Sequence, residues 1–316
     1  MGKYTEAWER HGTQEKAAAA LGIGQRSFER GLKRERSGTP EPPKPPPSNK
    51  LNLSGISEQA APVTDKPVTV VYFTDAHNQP GMSLERFKWL CGLVNDVKPD
   101  FFINGGDTDE VGSLSNHEKN ETYKGRLKPL VAADLEASAY MAALIKDNLK
   151  HPCVKMTSLG NHEFRINTYE NNNPAMYGII SNIYHEIWES CGWTLYEYGA
   201  YIDVAGVHFT HVPFDQNGKP VQGENAVKKV AEKSQRDTVF GHLHYETIIR
   251  AHKFGGGNSV TVLGAACFMP DGYRPDYVKN TRKEYNYGCY VLRIHKGRID
   301  SIKAYSMAEL EETYGG

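Results

Sequence analysis

The chain has 316 residues, 39% of them hydrophobic and 24% charged, enough for one large domain with an appendage or for two domains. Its 37 Lys and Arg against 38 Asp and Glu leave a formal net charge of −1, which argues against a chain-wide nucleic-acid or membrane coat and leaves room for a local basic patch. No apolar run approaches a membrane span, and the start Met1–Glu6 has no apolar stretch behind it, so neither a membrane partner nor a secretory signal is expected. Five widely spaced cysteines (Cys91, Cys153, Cys191, Cys267, Cys289) form no Cys-x-x-Cys pair and read as reduced thiols that fill core.

In chain order, Tyr4 to Arg10 suits a short helix. Thr13 is a plausible N-cap for a second helix, with Glu15 in its first turn and Ala17 to Leu21 continuing it. Gly22-Ile23-Gly24 then makes a turn, and Gln25 to Arg36 reads as a third helix. Ala17, Ala20, Leu21, Ile23 and Phe28 would form a small core. The stretch TQEKAAAALGIGQRSFERGLKRER resembles the helix-turn-helix of small bacterial and phage DNA-binding modules. That resemblance implies a DNA partner, with Gln25, Arg26, Ser27 and Arg30 on or near the exposed face of the recognition helix. Arg30, Lys33, Arg34 and Arg36 would suit phosphate oxygens. The competing reading is an amphipathic basic helix pair that docks a protein or keeps the N-terminus in solution.

Residues 39–66 read as a linker. Six of the eight residues Pro40–Pro47 are proline, which has no backbone donor and a fixed φ, so this piece is expected to be extended. Charge divides at the linker: residues 1–50 hold ten Lys/Arg against six Asp/Glu, a net of +4, and the other 266 hold 27 against 32, a net of −5. A basic all-α head (1–38) is thus tethered to a mildly acidic body (67–316).

The body alternates strands and helices. Val68–Phe73, Phe101–Ile103 and Val154–Leu159 are short apolar runs that read as buried strands. Leu84, Phe87, Leu90, Cys91 and Val94 recur at helical spacing, residues 128–149 form a long helical pattern, and Ile179–Trp188 looks helical. From Trp193 on, strands predominate: Tyr201–Val204, Val207–Thr210, Thr238–Phe240, Thr247–Ala251, Ser259–Leu263 and Gly288–Ile294. Helices first and strands later predict an α/β body with two sheets face to face and helices outside.

The strand ends carry the chemistry. Successive strands run into Asp75-Ala76-His77, Gly105-Gly106-Asp107, Gly160-Asn161-His162-Glu163, His211 and Gly241-His242-Leu243-His244. Each time an apolar strand stops at a ligand-capable side chain, usually beside a glycine that lets the backbone turn. A single histidine of this kind is more often structural than a ligand; the ordered set reverses that expectation.

Asp-x-His, Gly-Asp, Gly-Asn-His-Glu, a lone His and Gly-His-x-His, in this order from about Val68 to Tyr305, resemble the calcineurin-like metallophosphoesterases. The resemblance implies a four-layer αββα sandwich of two mixed sheets and a metal-dependent phosphoesterase. Asp75, His77 and His244 would hold one divalent ion, Asn161, His211 and His242 a second, and Asp107 would bridge them. Mn²⁺ is the expected ion, with Fe, Zn or Ni as alternatives; a set without thiolates argues against a closed structural zinc site. Such a pair activates a water and clamps phosphoryl oxygens. His162 would serve as general acid toward the leaving oxygen, or stabilise charge there, oriented by an acid three positions after the bridging Asp. That acid is Glu110 here, with Asp109 as the alternative. Val111 stands where the protein Ser/Thr phosphatases have Arg, which disfavours a phosphoprotein substrate.

The weaker features read as structural. His117, His151, His185, His208, His252 and His295 lack the strand-end context. Gly255–Asn258 reads as a hairpin turn. Arg165 either reaches a phosphate or makes a surface ion pair. The Tyr/Arg/Lys-rich segment Asp271–Tyr287 reads as a surface loop sooner than a base-stacking platform, and Gly112–Gly125 as a rim over the site or a solvated loop. The expected substrate is a nucleic-acid phosphodiester recruited through the head; the alternative is a cyclic nucleotide or other small phosphoester, with the head in regulation. The arrangement looks bacterial or phage-borne, hence cytoplasmic.

Overall fold

In a computed structural model of the protein, the described residues are 2–22, 24–37, 58–63, 65–116, 122–253, 259–275 and 284–316. They fall into two compact units, Met1–Asn52 and Leu53–Gly316.

The first unit contains α1 (Lys3–His11), α2 (Gln14–Ala20) and α3 (Gln25–Ser37). Thr13 caps α2, its hydroxyl accepting the Lys16 N–H at 3.3 Å. The core differs from the expected one. Ala17 and Phe28 are buried, but Ala20 and Leu21 are exposed and Ile23 lies outside the described residues. Ala7, Ala18 and Leu32 complete it, with the Tyr4 and Trp8 rings against Phe28 at 5.8 and 6.3 Å. The reason is α1: its aromatic side chains cover α3, so three helices share an apolar stripe that the two-helix reading gave to the end of α2. Gly2 has no side chain to cap α1. Glu35 of α3 does so instead, accepting the Tyr4 and Thr5 N–H groups at 3.0 and 2.9 Å and the Thr5 hydroxyl at 2.9 Å.

The second unit runs β1 (Glu58–Ala61), β2 (Val68–Phe73), α4 (Glu85–Val97), β3 (Phe101–Asn104), α5 (Tyr123–Arg126), α6 (Val131–Asn148), β4 (Val154–Ser158), α7 (Phe164–Asn172), α8 (Ile179–Ser190), β5 (Trp193–Tyr196), β6 (Ile202–Val204), β7 (Val207–Thr210), α9 (Ala226–Lys233), β8 (Thr238–Phe240), β9 (Thr247–His252), β10 (Ser259–Gly264), β11 (Gly288–His295), β12 (Arg298–Ser306) and α10 (Met307–Tyr314). One mixed sheet has the order β12-β11-β2-β3-β4-β5 and the other β1-β6-β7-β8-β10-β9. In the first, β2 to β5 are parallel and β11 is antiparallel to β2. In the second, β7, β8 and β10 are parallel.

Alternation along β2 shows how the layers form. Val70 and Tyr72 pack with Ile103, Val204, Phe209, Val239 and Leu292 between the sheets. Val71 and Phe73 pack with Phe87, Leu90, Met141, Ile145 and Trp188 of α4, α6 and α8. On the far side of the second sheet, Phe240 and Val262 pack against Val227 and Val230 of α9. Both faces of the central strands are therefore buried, which is why these read as continuous apolar runs, whereas β9 and β12 at the sheet edges carry exposed residues. The result is the α/β sandwich of two mixed sheets flanked by helices.

Three expectations change. The segment read as linker as far as residue 66 includes β1, which adds an edge strand beside β6 (Glu58↔Ile202). Within Gly112–Gly125, Gly112–Leu114 make a 3₁₀ turn and Tyr123 begins α5, while residues 117–121, His117 among them, lie outside the described residues. Gly255–Asn258 belongs to residues 254–258, also outside, though the flanking β9 and β10 are antiparallel. The five cysteines are free, and all but the half-buried Cys153 are buried. No described helix is long and apolar enough to cross a membrane.

Candidate metal centre

Parallel strands bring their C-terminal ends to one edge. β2 ends before Asp75 and His77, β3 before Asp107 and Glu110, and β4 before Asn161, His162 and Glu163; β7 and β8 of the facing sheet end before His211, His242 and His244. The backbone there is bent hard. Asp75, His77, Asp107, His242 and His244 all have positive φ, between 43° and 70°, a region that non-glycine residues rarely occupy and that clusters at functional sites. The glycines beside them allow close approach. A Cβ on Gly160 would overlap the Asp107 carboxylate, and one on Gly241 would overlap Thr74 Oγ1 and Asp75 Oδ2.

The seven side chains read as ligands converge. Asp75, His77 and His244 form one group and Asp107, His211 and His242 a second, the ligand atoms in each within 4.8 Å of one another. A third group, His77, Asp107 and His162, joins them. Asn161 belongs with the second, its Oδ1 lying 3.1 Å from His211 Nε2. Among the described residues, every such cluster of His, Cys, Asp and Glu draws on this set.

Hydrogen bonds around the rim set the direction of the lone pairs. His77 Nδ1 lies 2.9 Å from Glu110 Oε2, and His211 Nδ1 lies 3.0 Å from the Gly105 carbonyl. Each contact holds a proton on Nδ1 and leaves Nε2 as an acceptor. His211 Nε2 then faces another acceptor, Asp107 Oδ2, at 3.3 Å, and His77 Nε2 is 3.1 Å from His244 Nε2, itself 3.1 Å from Asp75 Oδ1. Lone pairs aimed at one another in a buried site repel unless a cation or protons lie between them. The donor set fits divalent ions on that ground.

Charge in the site follows the same geometry. Burial acts to raise the Asp75 carboxyl, yet His244 beside it brings it down to about 2. Burial disfavours a charged His211, but Asp107 more than offsets this and pushes it up to about 9. Burial, with the charge of His211, takes His242 down to about 4. A cation replacing the proton on His211 would meet the same carboxylates.

Asp109 and Glu110 part company. Asp109 turns away from the metal groups: its Oδ2 accepts from Ser138 Oγ at 2.7 Å and Tyr184 OH at 2.8 Å. Burial and then the nearby Glu163 push it up to about 7. Glu110 faces the site, its carboxylate 2.9 Å from His77 Nδ1 and 3.3 Å from His162 Nδ1. The Glu110 carbonyl is closer still to His162 Nδ1, at 3.0 Å. Arg165 does make an ion pair, with Glu110 Oε1 at 3.4 Å, but at the site and mostly buried; it also donates to the Glu110 carbonyl at 2.6 Å and to His162 Nε2 at 3.1 Å.

The sequence reading assigned no task to Glu163, although it belongs to the Gly-Asn-His-Glu run. Its buried carboxylate accepts the N–H groups of Asp107, Thr108, Asp109 and Gly160 at 3.1, 2.7, 3.0 and 2.7 Å. It thereby ties the loop after β3 to the loop after β4. Asp107 Oδ1 accepts the His162 N–H at 2.8 Å and closes the ring.

The nucleic-acid candidates belong to the first unit. Gln25, Arg26 and Lys33 are exposed on α3. Ser27, Arg30 and Arg34 belong to α3, but their side chains lie outside the described residues, as do those of Arg36 and of residues 276–283 in the Asp271–Tyr287 segment. Of the histidines read as structural, His151 and His295 bond to the carbonyls of Pro99 and Asp65, each at 3.0 Å.

The family model of the calcineurin-like phosphoesterases matches residues 68–246, and the chain belongs to that family. It is a metal-dependent phosphoesterase, a hydrolase of ester bonds. A search of curated protein sequences finds no match. Among solved structures, a conserved uncharacterized protein of Streptococcus pneumoniae TIGR4, described as a predicted phosphoesterase, is 11% identical. The match covers 77% of this chain and 99% of that one, at a TM-score of 0.33. Yfce, a phosphoesterase from E. coli, is 13% identical over 75% of this chain and 98% of its own, at a TM-score of 0.32.

Proposed function

We propose that the protein is a two-metal phosphodiesterase that cuts nucleic-acid strands, with its N-terminal helices as the recruiting head. The observation that carries the hydrolytic part is that Asp107 shares one cluster with His211 and His242 and another with His77 and His162, His77 in turn clustering with Asp75 and His244. In this reading Asp75, His77 and His244 hold one ion, Asn161, His211 and His242 the other, and Asp107 both. When bound, the pair supplies an activated water and neutralises charge on the phosphoryl oxygens. Mn²⁺ suits imidazole, carboxylate and amide donors without thiolate.

The chain's own groups do the rest. Thr74 Oγ1 and the His242 N–H hold Asp75 in place, at 2.8 Å and 2.9–3.0 Å. Glu110 holds the tautomer of His77 and, mainly through its carbonyl, the ring of His162. His162 Nε2 is the proton donor to the leaving oxygen. Burial works against its charge, but Asp107 and then Glu110 raise its proton affinity above the ordinary histidine value. Arg165 donates to the same Nε2 while that atom is unprotonated.

The exposed Gln25, Arg26 and Lys33 on α3 support recruitment of nucleic acid by a helix-turn-helix head. The net −5 of the rest of the chain favours a second reading, in which a small phosphoester is the substrate and the head serves regulation. Asp107→Asn and His211→Ala test the hydrolytic claim. Each is expected to abolish Mn²⁺-dependent turnover of bis(p-nitrophenyl) phosphate while circular dichroism stays native; retained turnover sinks it. A panel of single- and double-stranded DNA, cyclic nucleotides and phosphomonoesters then decides between the readings.

A further inference from the structure

Beside the metal groups lies a separate cleft of about 500 Å³, lined among others by Tyr285, Tyr287, Tyr305, Asn286, Glu246 and Asp271. It opens at the same edge of the sheet. β11 runs antiparallel to β2 with Tyr290 opposite Tyr72, and Gly288 pairs with Ser306 of β12. Residues 285–288 therefore extend past the end of β2, where Asp75 and His77 emerge. The link is direct: the Tyr285 ring meets His244 edge to face at 4.9 Å, and the Asn286 N–H donates to the His244 carbonyl at 3.0 Å.

The lining has a definite chemistry. Tyr285, Tyr287 and Tyr305 supply aromatic surface; Tyr285 and Tyr287 are half-buried, with centroids 6.4 Å apart. Among the described residues, Glu246 and Asp271 line the cleft and no Lys or Arg does, while Lys303 Nζ lies 4.1 Å from the Tyr305 centroid. Such a cleft suits a flat ring with N–H donors on its edge. The phosphate has its own place one ring away, and the Arg274 guanidinium lies 5.8 Å from the Tyr285 centroid.

We infer that this cleft receives the nucleobase next to the scissile phosphodiester, with Tyr285 as the wall shared by base and metal groups. The inference rests on the phosphodiesterase reading and names its substrate class: a nucleotide-bearing ester, with a base that carries an exocyclic amino group preferred. Aromatic stacking of one base accounts for a preference of roughly tenfold.

The test compares two diesters that release the same phenolate, adenosine 5′-(p-nitrophenyl phosphate) and methyl p-nitrophenyl phosphate, on the full chain with Mn²⁺. Calorimetry follows binding of adenosine alone. Wild type is expected to favour the adenosine ester about tenfold in kcat/KM, through KM. Tyr285→Ala should bring that ratio toward one and weaken adenosine binding, while Tyr285→Phe keeps both. Tyr305→Ala, on β12 and away from His244, provides a second variant should loss of Tyr285 disturb the metal groups. Equal kcat/KM for both esters with no adenosine bound overturns the inference, as does a ratio unmoved by either alanine variant. Turnover of neither ester while adenosine still binds overturns the hydrolytic reading and leaves the cleft standing.

Discussion

Glu163 shows how much a single buried carboxylate can organise. Four N–H groups from two loops end on it, and one of them belongs to Asp107. An amide in its place keeps the size but turns one oxygen into a donor that faces those N–H groups. Glu163→Gln is therefore expected to weaken Mn²⁺ binding by about 10- to 100-fold, the usual cost of losing a group that holds a ligand in place. Calorimetric titration with Mn²⁺ checks this directly, and an unchanged affinity would show that the loops hold their shape without it. The residue was within reach of a sequence reading, since it stands in the same run as Asn161 and His162. What hid its task is that it bonds to backbone, which leaves no pattern of partner side chains to find.

At the scale of elements, helix ends and strand ends decide what each segment can do. α1 starts at a glycine, so its free N–H groups depend on Glu35 from another helix. Burial tends to raise the Glu35 carboxyl, but the Tyr4 and Thr5 bonds outweigh it and hold it below its ordinary value. A carboxylate lowered in the folded state contributes stability that is full above its unfolded pKa, about 4.3, and lost as pH falls through the folded value. Protection of the Tyr4 and Thr5 amides against hydrogen exchange in the full chain should drop below that pH, and Glu35→Gln should remove the drop. Persistence of the pH step in the variant would assign it to another group. Among the strands, those buried on both faces were legible as apolar runs. β1 was not: Glu-Gln-Ala-Ala has no β-branched residue, and its place comes from backbone pairing with β6. α9 carried a readable signal in Val227 and Val230, three residues apart, beneath a run of lysines.

For the whole molecule, the boundary between units follows Asn52, and β1 begins at Glu58. Removal of residues 1–52 leaves every strand of both sheets in place. The shortened chain is expected to keep turnover of bis(p-nitrophenyl) phosphate within about twofold and to lose most activity on DNA at moderate salt, since tethering raises local substrate concentration. Equal DNA cleavage by both lengths would remove the head from substrate recruitment.

The sequence by itself determined the family, the two-sheet architecture and the seven side chains that meet in the metal groups. It could do so because each lies at the end of a short apolar strand, and parallel strands carry their ends to one edge. The tertiary structure decided what depends on direction. It turned Asp109 toward Ser138 and Tyr184 and Glu110 toward His77 and His162, two neighbouring acids given different surroundings. It set Arg165 on His162, gave Glu163 its four N–H partners and stood Tyr285 against His244, 41 positions away. Contacts of that kind are fixed by packing and by the hydrogen bonds left open around a buried charge, and neither leaves a periodic trace along the chain.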